Sequence, residues 1–261
     1  MYHLKELQNR KRIKILLKKL RILFTPRWMK LTSTFEGGLK VSGLNRSGYG
    51  GRGVYLFGEE LEYELHLMDS YLKTSDVVVD IGANVGAYTV KSAAIAGDDG
   101  LVIAIEPTPE MAAMNLFNII QNSLSNVRMR VACVSDQPGQ MAFWMRANKP
   151  NSFTLVPTEG AACFNSKVTT LDIISKEEGL VRLDFLKIDA EGVENEILEG
   201  GANTIANFKP IILVEATITE FPSPPDNYLI FQYKESHNLL LVHKDSGRIL
   251  NIKKAGFVKR S

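Results

Sequence analysis

Val77-Val-Val-Asp80-Ile-Gly82-Ala-Asn84-Val-Gly86 is the stretch that decides the fold. An apolar, β-branched run leads into a turn with two glycines four apart, and helical periodicity opens just after it, at Ala87. Continuous apolar runs of this length belong to strands covered on both faces. Further runs follow at Leu101–Ile105, Val127–Val131, Phe185–Ile188 and Ile211–Val214, with helical segments near Ala87–Ala96, Pro109–Gln121 and Val193–Ile205. Buried strands alternating with helices predict an α/β protein with a mostly parallel sheet and helices on both faces.

Open sheets of this kind bind ligands at the carboxyl ends of their strands, where glycine lets the backbone come close. Asp80 stands there, and Glu106 ends the second run twenty residues beyond Gly86. An acid at that spacing suits hydrogen bonds to a ribose diol. A dinucleotide site fits poorly, because the loop lacks Gly-x-Gly-x-x-Gly and Asp80 would repel a pyrophosphate. A ligand with a cation, a ribose and no phosphate fits, and S-adenosylmethionine (SAM) is one. The plainer alternative is that Asp80 caps the next helix and the glycines only turn the chain.

With those residues in hand, the chain resembles the FkbM-type SAM-dependent methyltransferases. Asp80-Ile-Gly-Ala-Asn84-Val-Gly86 looks like that family's opening motif, and the likeness continues through Ile105-Glu106-Pro107, Ala132-Cys-Val-Ser-Asp136 and Thr170-Leu171-Asp172. It is strongest in Leu186-Lys187-Ile-Asp189-Ala-Glu191-Gly192-Val-Glu194 and closes at Pro210-Ile-Ile-Leu-Val-Glu215, covering about residues 55–220. The resemblance implies a Rossmann-like class I methyltransferase fold. Its seven-stranded sheet, closed by a C-terminal antiparallel hairpin, is preceded by a basic N-terminal helix and a β-hairpin. It further implies that Asp80, Gly82, Asn84, Gly86 and Glu106 hold SAM, with Asp136 near the adenine, and that the acceptor is a hydroxyl of a sugar, glycan or natural product.

Methyl transfer from an activated sulfonium asks the protein chiefly to align donor and acceptor. An alcohol must also lose its proton, and Asp189 is the first candidate to take it, Glu191 the second. Strand alternation would place Lys187 and Asp189 on one face. Glu194 reads as compensation of a helix dipole. No Asn/Asp-Pro-Pro-Tyr/Phe or Pro-Cys segment points to amino or cytosine-C5 methylation, and no spacing of ligands points to a metal. Two other readings stand: the same fold acting on RNA or protein, and a non-catalytic protein that keeps the fold for binding.

The charge is divided. Residues 1–30 carry ten basic residues and one acid, a net of +9, whereas the remainder holds 21 basic and 28 acidic groups, a net of −7. An acidic body is no partner for nucleic acid. Ile13, Leu16, Leu17, Leu20 and Leu23/Phe24 recur at helical spacing until Pro26, and Lys14, Lys18, Lys19 and Arg21 fall largely on other faces. Residues 1–25 therefore read equally as an interfacial helix drawn to anionic lipid or as a helix docked on its own domain. No apolar run reaches the roughly 18–20 residues of a membrane span, and no signal peptide is evident. Cys133 and Cys163 fit a reducing compartment as two buried hydrophobes. The expected location is cytoplasmic, peripheral at the inner membrane face under the lipid reading.

The expected organisation is 1–30 basic helix, 31–75 hairpin and helix, and 76–261 catalytic domain. Within 31–75, Gly48 to Gly53 would turn the chain between strands at Leu39-Lys-Val-Ser and Gly53-Val-Tyr-Leu-Phe, and a helix would run from Glu59 to Leu72. Near the C-terminus a helix after Pro222-Ser-Pro-Pro, then strands Leu239–His243 and Ile249–Ile252 around Asp245-Ser-Gly247, complete the expectation.

Overall fold

The computed structural model describes residues 2–46, 50–145, 153–154, 159, 162–190, 192–215, 223–234 and 236–260. Helix α1 (Tyr2–Phe24) leads into a hairpin of β1 (Lys30–Thr34) and β2 (Lys40–Leu44), followed by α2 (Gly51–Phe57) and α3 (Tyr63–His66). Then come β3 (Val77–Ile81), α4 (Ala87–Ala96), β4 (Leu101–Ile105), α5 (Pro109–Gln121) and β5 (Val127–Arg130). A small sheet is built from β6 (Cys133–Val134), β7 (Gly139–Met145), β8 (Phe153–Thr154) and β9 (Ala162–Thr169). After α6 (Leu171–Glu177) the chain returns through β10 (Phe185–Ile188), α7 (Glu194–Gly200), α8 (Ala202–Phe208) and β11 (Ile211–Glu215). It ends with β12 (Tyr228–Tyr233), β13 (Asn238–His243), α9 (Ile249–Lys254) and β14 (Phe257–Lys259).

Among the described residues, the main sheet has eight strands in the order β14-β12-β13-β11-β10-β3-β4-β5. The run from β11 to β5 is parallel, and β13, β12 and β14 are added antiparallel. This is the expected Rossmann-like α/β architecture, with β14 as an edge strand beyond the seven. Alternation along each strand divides the core. Val78, Val102, Phe185 and Leu213 face α4 and the N-terminal hairpin, where Phe35, Val41, Val54 and Leu65 join them. Val79, Ile81, Ile103, Leu186 and Val214 face α6, α7 and α8 through Leu171, Ile174, Ile197 and Ile205. Both faces are covered, which is why these strands are apolar apart from Asp80, Lys187 and the terminal Glu215.

Three local expectations are corrected. The hairpin is β1–β2, turned at Gly37 and Gly38 with φ of 72° and 85°, while Gly53-Val-Tyr-Leu-Phe lies in α2. Gly43 and Gly51 cross backbone to backbone, a Cβ at Gly43 falling 2.3 Å from the Gly51 Cα, so these glycines serve a helix-on-strand contact. The Glu59–Leu72 helix is broken into 3-10 turns at Gly58–Leu61 and Met68–Ser70 around the short α3. At the C-terminus the hairpin is β12–β13, so strand replaces the expected helix and Ile249–Lys254 is a helix. Cys133 is buried as expected, and Cys163 is exposed. No helix among the described residues is long and apolar enough to cross a membrane.

Candidate active site

The chain leaves β3 for β4 on one side and returns with β10 on the other, so β3 marks the point where strand order reverses. Ligands of open α/β sheets sit at the carboxyl edge of such a point. Asp80, Glu106 and Asp189 stand at the ends of these three neighbouring strands.

The loop after β3 needs its glycines for a reason the motif alone did not convey. Gly82 has φ of 73°, and a Cβ there would lie 1.8 Å from the Asp189 carbonyl oxygen. Gly86 has φ of 90°, and its Cβ would lie 2.2 Å from Asn115 Oδ1. Both glycines therefore permit protein to pack on protein, bringing β10 and α5 against the loop. Asn84 adopts φ of 48°, and its Oδ1 accepts from the Val85 N–H at 2.8 Å. An asparagine tolerates that left-handed conformation better than a branched residue.

Asp80 is fully buried. Its Oδ2 accepts from Thr89 Oγ1 at 2.6 Å, whereas Oδ1 has no hydrogen-bond partner and lies 3.6 Å from Lys187 Nζ. Glu106 is 5 % exposed, and its two oxygens accept the Asn84 and Thr108 N–H groups, each at 2.9 Å. Glu106 thus organises the loop in addition to facing it. Burial raises the Glu106 pKa above the ordinary carboxylate value, only partly countered by the Thr108 and Asn84 hydrogen bonds and by Lys187.

Lys187, opposite Asp80 in the β10–β3 register, is the centre of the cluster. Its ammonium donates to the Gly82 carbonyl and to Asp189 Oδ2, both at 3.1 Å, and lies 5.2 Å from the centroid of the Tyr88 ring. Burial works against its charge, but Asp189, Asp80 and Glu62 outweigh burial and hold its pKa above the usual lysine value. The shared face of Lys187 and Asp189 is thereby as the alternation predicts. Asp189 is the open member, its side chain 39 % exposed. Glu191 lies outside the described residues. Glu194 does more than face a helix dipole: its Oε1 accepts from the Ala190 and Gly192 N–H groups and closes that turn.

The sequence reading passed over Glu62 and Tyr88. Tyr88 Oη donates to Glu62 Oε2 at 2.6 Å, and Asn238 Nδ2 donates to the same oxygen at 3.2 Å. Burial raises the Glu62 pKa, with the Tyr88 hydrogen bond and Lys187 opposing and Asp189 adding to it. No local motif marks Glu62, because its partners lie 26 and 176 residues away. Asp136 lies just beyond β6, where it accepts from Ser135 Oγ at 3.0 Å. His66 is exposed on α3, and Lys91 donates to its backbone carbonyl from the buried pair with Glu59. No group of three His, Cys, Asp or Glu among the described residues has the geometry to hold a metal ion.

The donor set suits a cation. Four carboxylates, Asp80, Glu106, Asp189 and Glu62, surround a single lysine, and the two glutamates already resist ionisation. A positively charged ligand among them would relieve that excess, whereas a phosphate would aggravate it.

The profile of the Methyltransferase FkbM domain matches residues 80–238. Methyltransferase sdnD of Sordaria araneosa is 26 % identical over 162 residues, which span 49 % of this chain and 61 % of that protein. The methyltransferase FkbM of Methylobacillus flagellatus KT superposes with a TM-score of 0.47 at 19 % identity, over 73 % of this chain and 53 % of that one. This chain therefore spans little more than half the length of either relative. Aeropyrum pernix fibrillarin, solved with natively bound S-adenosyl-L-methionine, gives a TM-score of 0.41 at 14 % identity over 84 % of this chain and 96 % of that one.

Proposed function

Since the chain belongs to the FkbM-domain methyltransferases, we propose that it is a SAM-dependent O-methyltransferase acting on a hydroxyl of a sugar, glycan or natural product. The observation that carries the reading is the excess of carboxylates at the carboxyl ends of β3, β4 and β10, which calls for a cationic cofactor. When bound, SAM supplies an activated methyl group. Asp80, Glu106 and the Gly82–Gly86 loop would hold it, with Asp136 toward the adenine. Lys187 fixes the loop by its bond to the Gly82 carbonyl and keeps Asp189 oriented by an ion pair.

Asp189 is the carboxylate open to an approaching alcohol and takes its proton as the oxygen is alkylated. The Tyr88–Glu62 hydrogen bond backs Lys187, whose ammonium lies over the Tyr88 ring. A neutral hydroxyl acceptor suits this site better than a polyanion, because the body of the chain is net acidic.

Calorimetry with SAM and turnover with hydroxylated acceptors test the proposal together. Asp189→Asn should lower turnover at saturating SAM by about 10²-fold or more, the usual worth of a positioned base. Absence of any SAM binding heat would sink the cofactor reading, and undiminished turnover in the variant would remove Asp189 from the proton's path.

A further inference from the structure

The apolar stripe of α1 faces away from the protein that carries it. Ile15, Lys18 and Ile22 turn toward the body and are partly buried; Lys18 Nζ donates to the Leu56 carbonyl at 3.2 Å and lies 5.3 Å from the Tyr55 ring centroid. Asn45 Nδ2 secures the end of the helix by donating to the Ile22 and Thr25 carbonyls. On a helix of 3.6 residues per turn, Ile13, Leu16, Leu17, Leu20, Leu23 and Phe24 fall on the opposite side, in an arc of about 120°. All six are exposed, Leu23 by 76 % and Phe24 by 85 %, and Trp28 beyond Pro26 is 72 % exposed. One face of the arm is thus docked on its own domain, and the apolar face is left open.

Charge identifies what covers it. Exposed Arg12 and Lys19 lie along one flank of the apolar arc, and exposed Lys14 and Arg21 along the other. We propose that this face lies on an anionic lipid bilayer, with the leucines and Phe24 in the acyl boundary and the two cationic rows among the headgroups. Apolar burial and basic charge reinforce each other in that setting. Trp28 suits the same level, being amphipathic and enriched at membrane interfaces. Pairing of this face with the same face of a second copy would press the cationic rows together and is disfavoured. Through α2 the arm also reaches the site: Lys18 holds its last turn, and Gly50 at its start lies against Asn84, a Cβ there falling 2.9 Å from Asn84 Oδ1.

Flotation of the full-length protein with vesicles tests this, using phosphatidylcholine alone and phosphatidylcholine with phosphatidylglycerol, at low and high salt. The protein should float with the anionic vesicles, lose most of that association at high salt, and stay behind with phosphatidylcholine alone. Leu17→Glu combined with Leu20→Glu should lower partitioning at least about tenfold while leaving the melting temperature unchanged, since both side chains are exposed. Wild type that fails to float, or a double variant that floats equally well, overturns the proposal. Light scattering that shows a dimer dissociated by the same two substitutions would assign the face to a second copy and also overturn it. None of these readouts depends on SAM binding, so the membrane proposal and the chemical one fail separately.

Discussion

At the scale of single residues, Gly82 shows how little freedom the site allows. Two constraints meet there: a left-handed φ of 73° and an Asp189 carbonyl that would stand 1.8 Å from any Cβ. Alanine must therefore push β10 away from β3, and the Lys187 bond to the Gly82 carbonyl is strained with it. Gly82→Ala should destabilise the protein by about 2–4 kcal/mol, combining backbone strain with displaced packing. Urea denaturation would measure the loss; a change under about 0.5 kcal/mol, the range of ordinary surface substitutions, would show that the two strands are not held so closely. Gly82 could be read as obligatory from the motif, but its purpose could not. A pattern of glycines announces close approach without saying whether ligand or protein approaches. The same holds for Glu106, which the sequence assigns to a ribose and whose two oxygens accept the Asn84 and Thr108 N–H groups.

Among the elements, those that were legible are the ones with long, unambiguous signals. β3, β4, β10 and β11 follow their apolar runs almost to the residue, because strands buried on both faces carry few polar positions, Asp80 and Lys187 being the site's own. Short segments near the ends of the chain behaved otherwise. Tyr228–Tyr233 and Ile249–Lys254 are six residues each, too few to distinguish a period of 2 from one of 3.6, and tertiary pairing decided them. α9 also carries a consequence that its own sequence hides. Arg248, just before it, donates to Asp76 at 2.5 and 2.7 Å and to the Tyr71 carbonyl at 2.7 Å, fastening the C-terminal segment to the residue that precedes β3. Arg248→Met would leave Asp76, whose side chain is only 2 % exposed, without its bidentate cation and with the Lys73 N–H as its remaining hydrogen bond. A loss of about 3 kcal/mol is expected from denaturant titration, as for other buried pairs deprived of one partner. Rescue of Asp76 by Arg182, now 3.6 Å away, would appear as a much smaller loss.

For the molecule as a whole, a basic arm of net +9 is joined to an acidic body of net −7. The pH dependence follows from two acids of the site. Glu106 and Glu62 have raised pKa values, chiefly through burial, so their contribution to stability is full below the ordinary glutamate range and is lost as pH rises through the raised values. A cationic ligand lowers both and must displace any proton they hold. The rise in melting temperature produced by SAM should therefore shrink as pH falls from neutral through that raised range. Binding there should release protons, seen as a calorimetric heat that varies with the buffer's ionisation enthalpy. A thermal shift independent of pH would separate these acids from the ligand. The link between Arg248 and Asp76 has a further meaning in time. It joins residues 172 apart, and the β10–β3 pairing joins strands more than a hundred residues apart, as the Val77 N–H bond to Asp184, spanning 107, makes plain. Contacts so distant close late, since loop entropy is lost before they form. A chain emerging from the ribosome therefore has β3, β4 and their helices in hand long before β10 arrives to bring Lys187 and Asp189 to the loop. The half-made sheet waits with β3 unpaired on one edge until β10 joins it, and Arg248, later still, fastens Asp76 at its start.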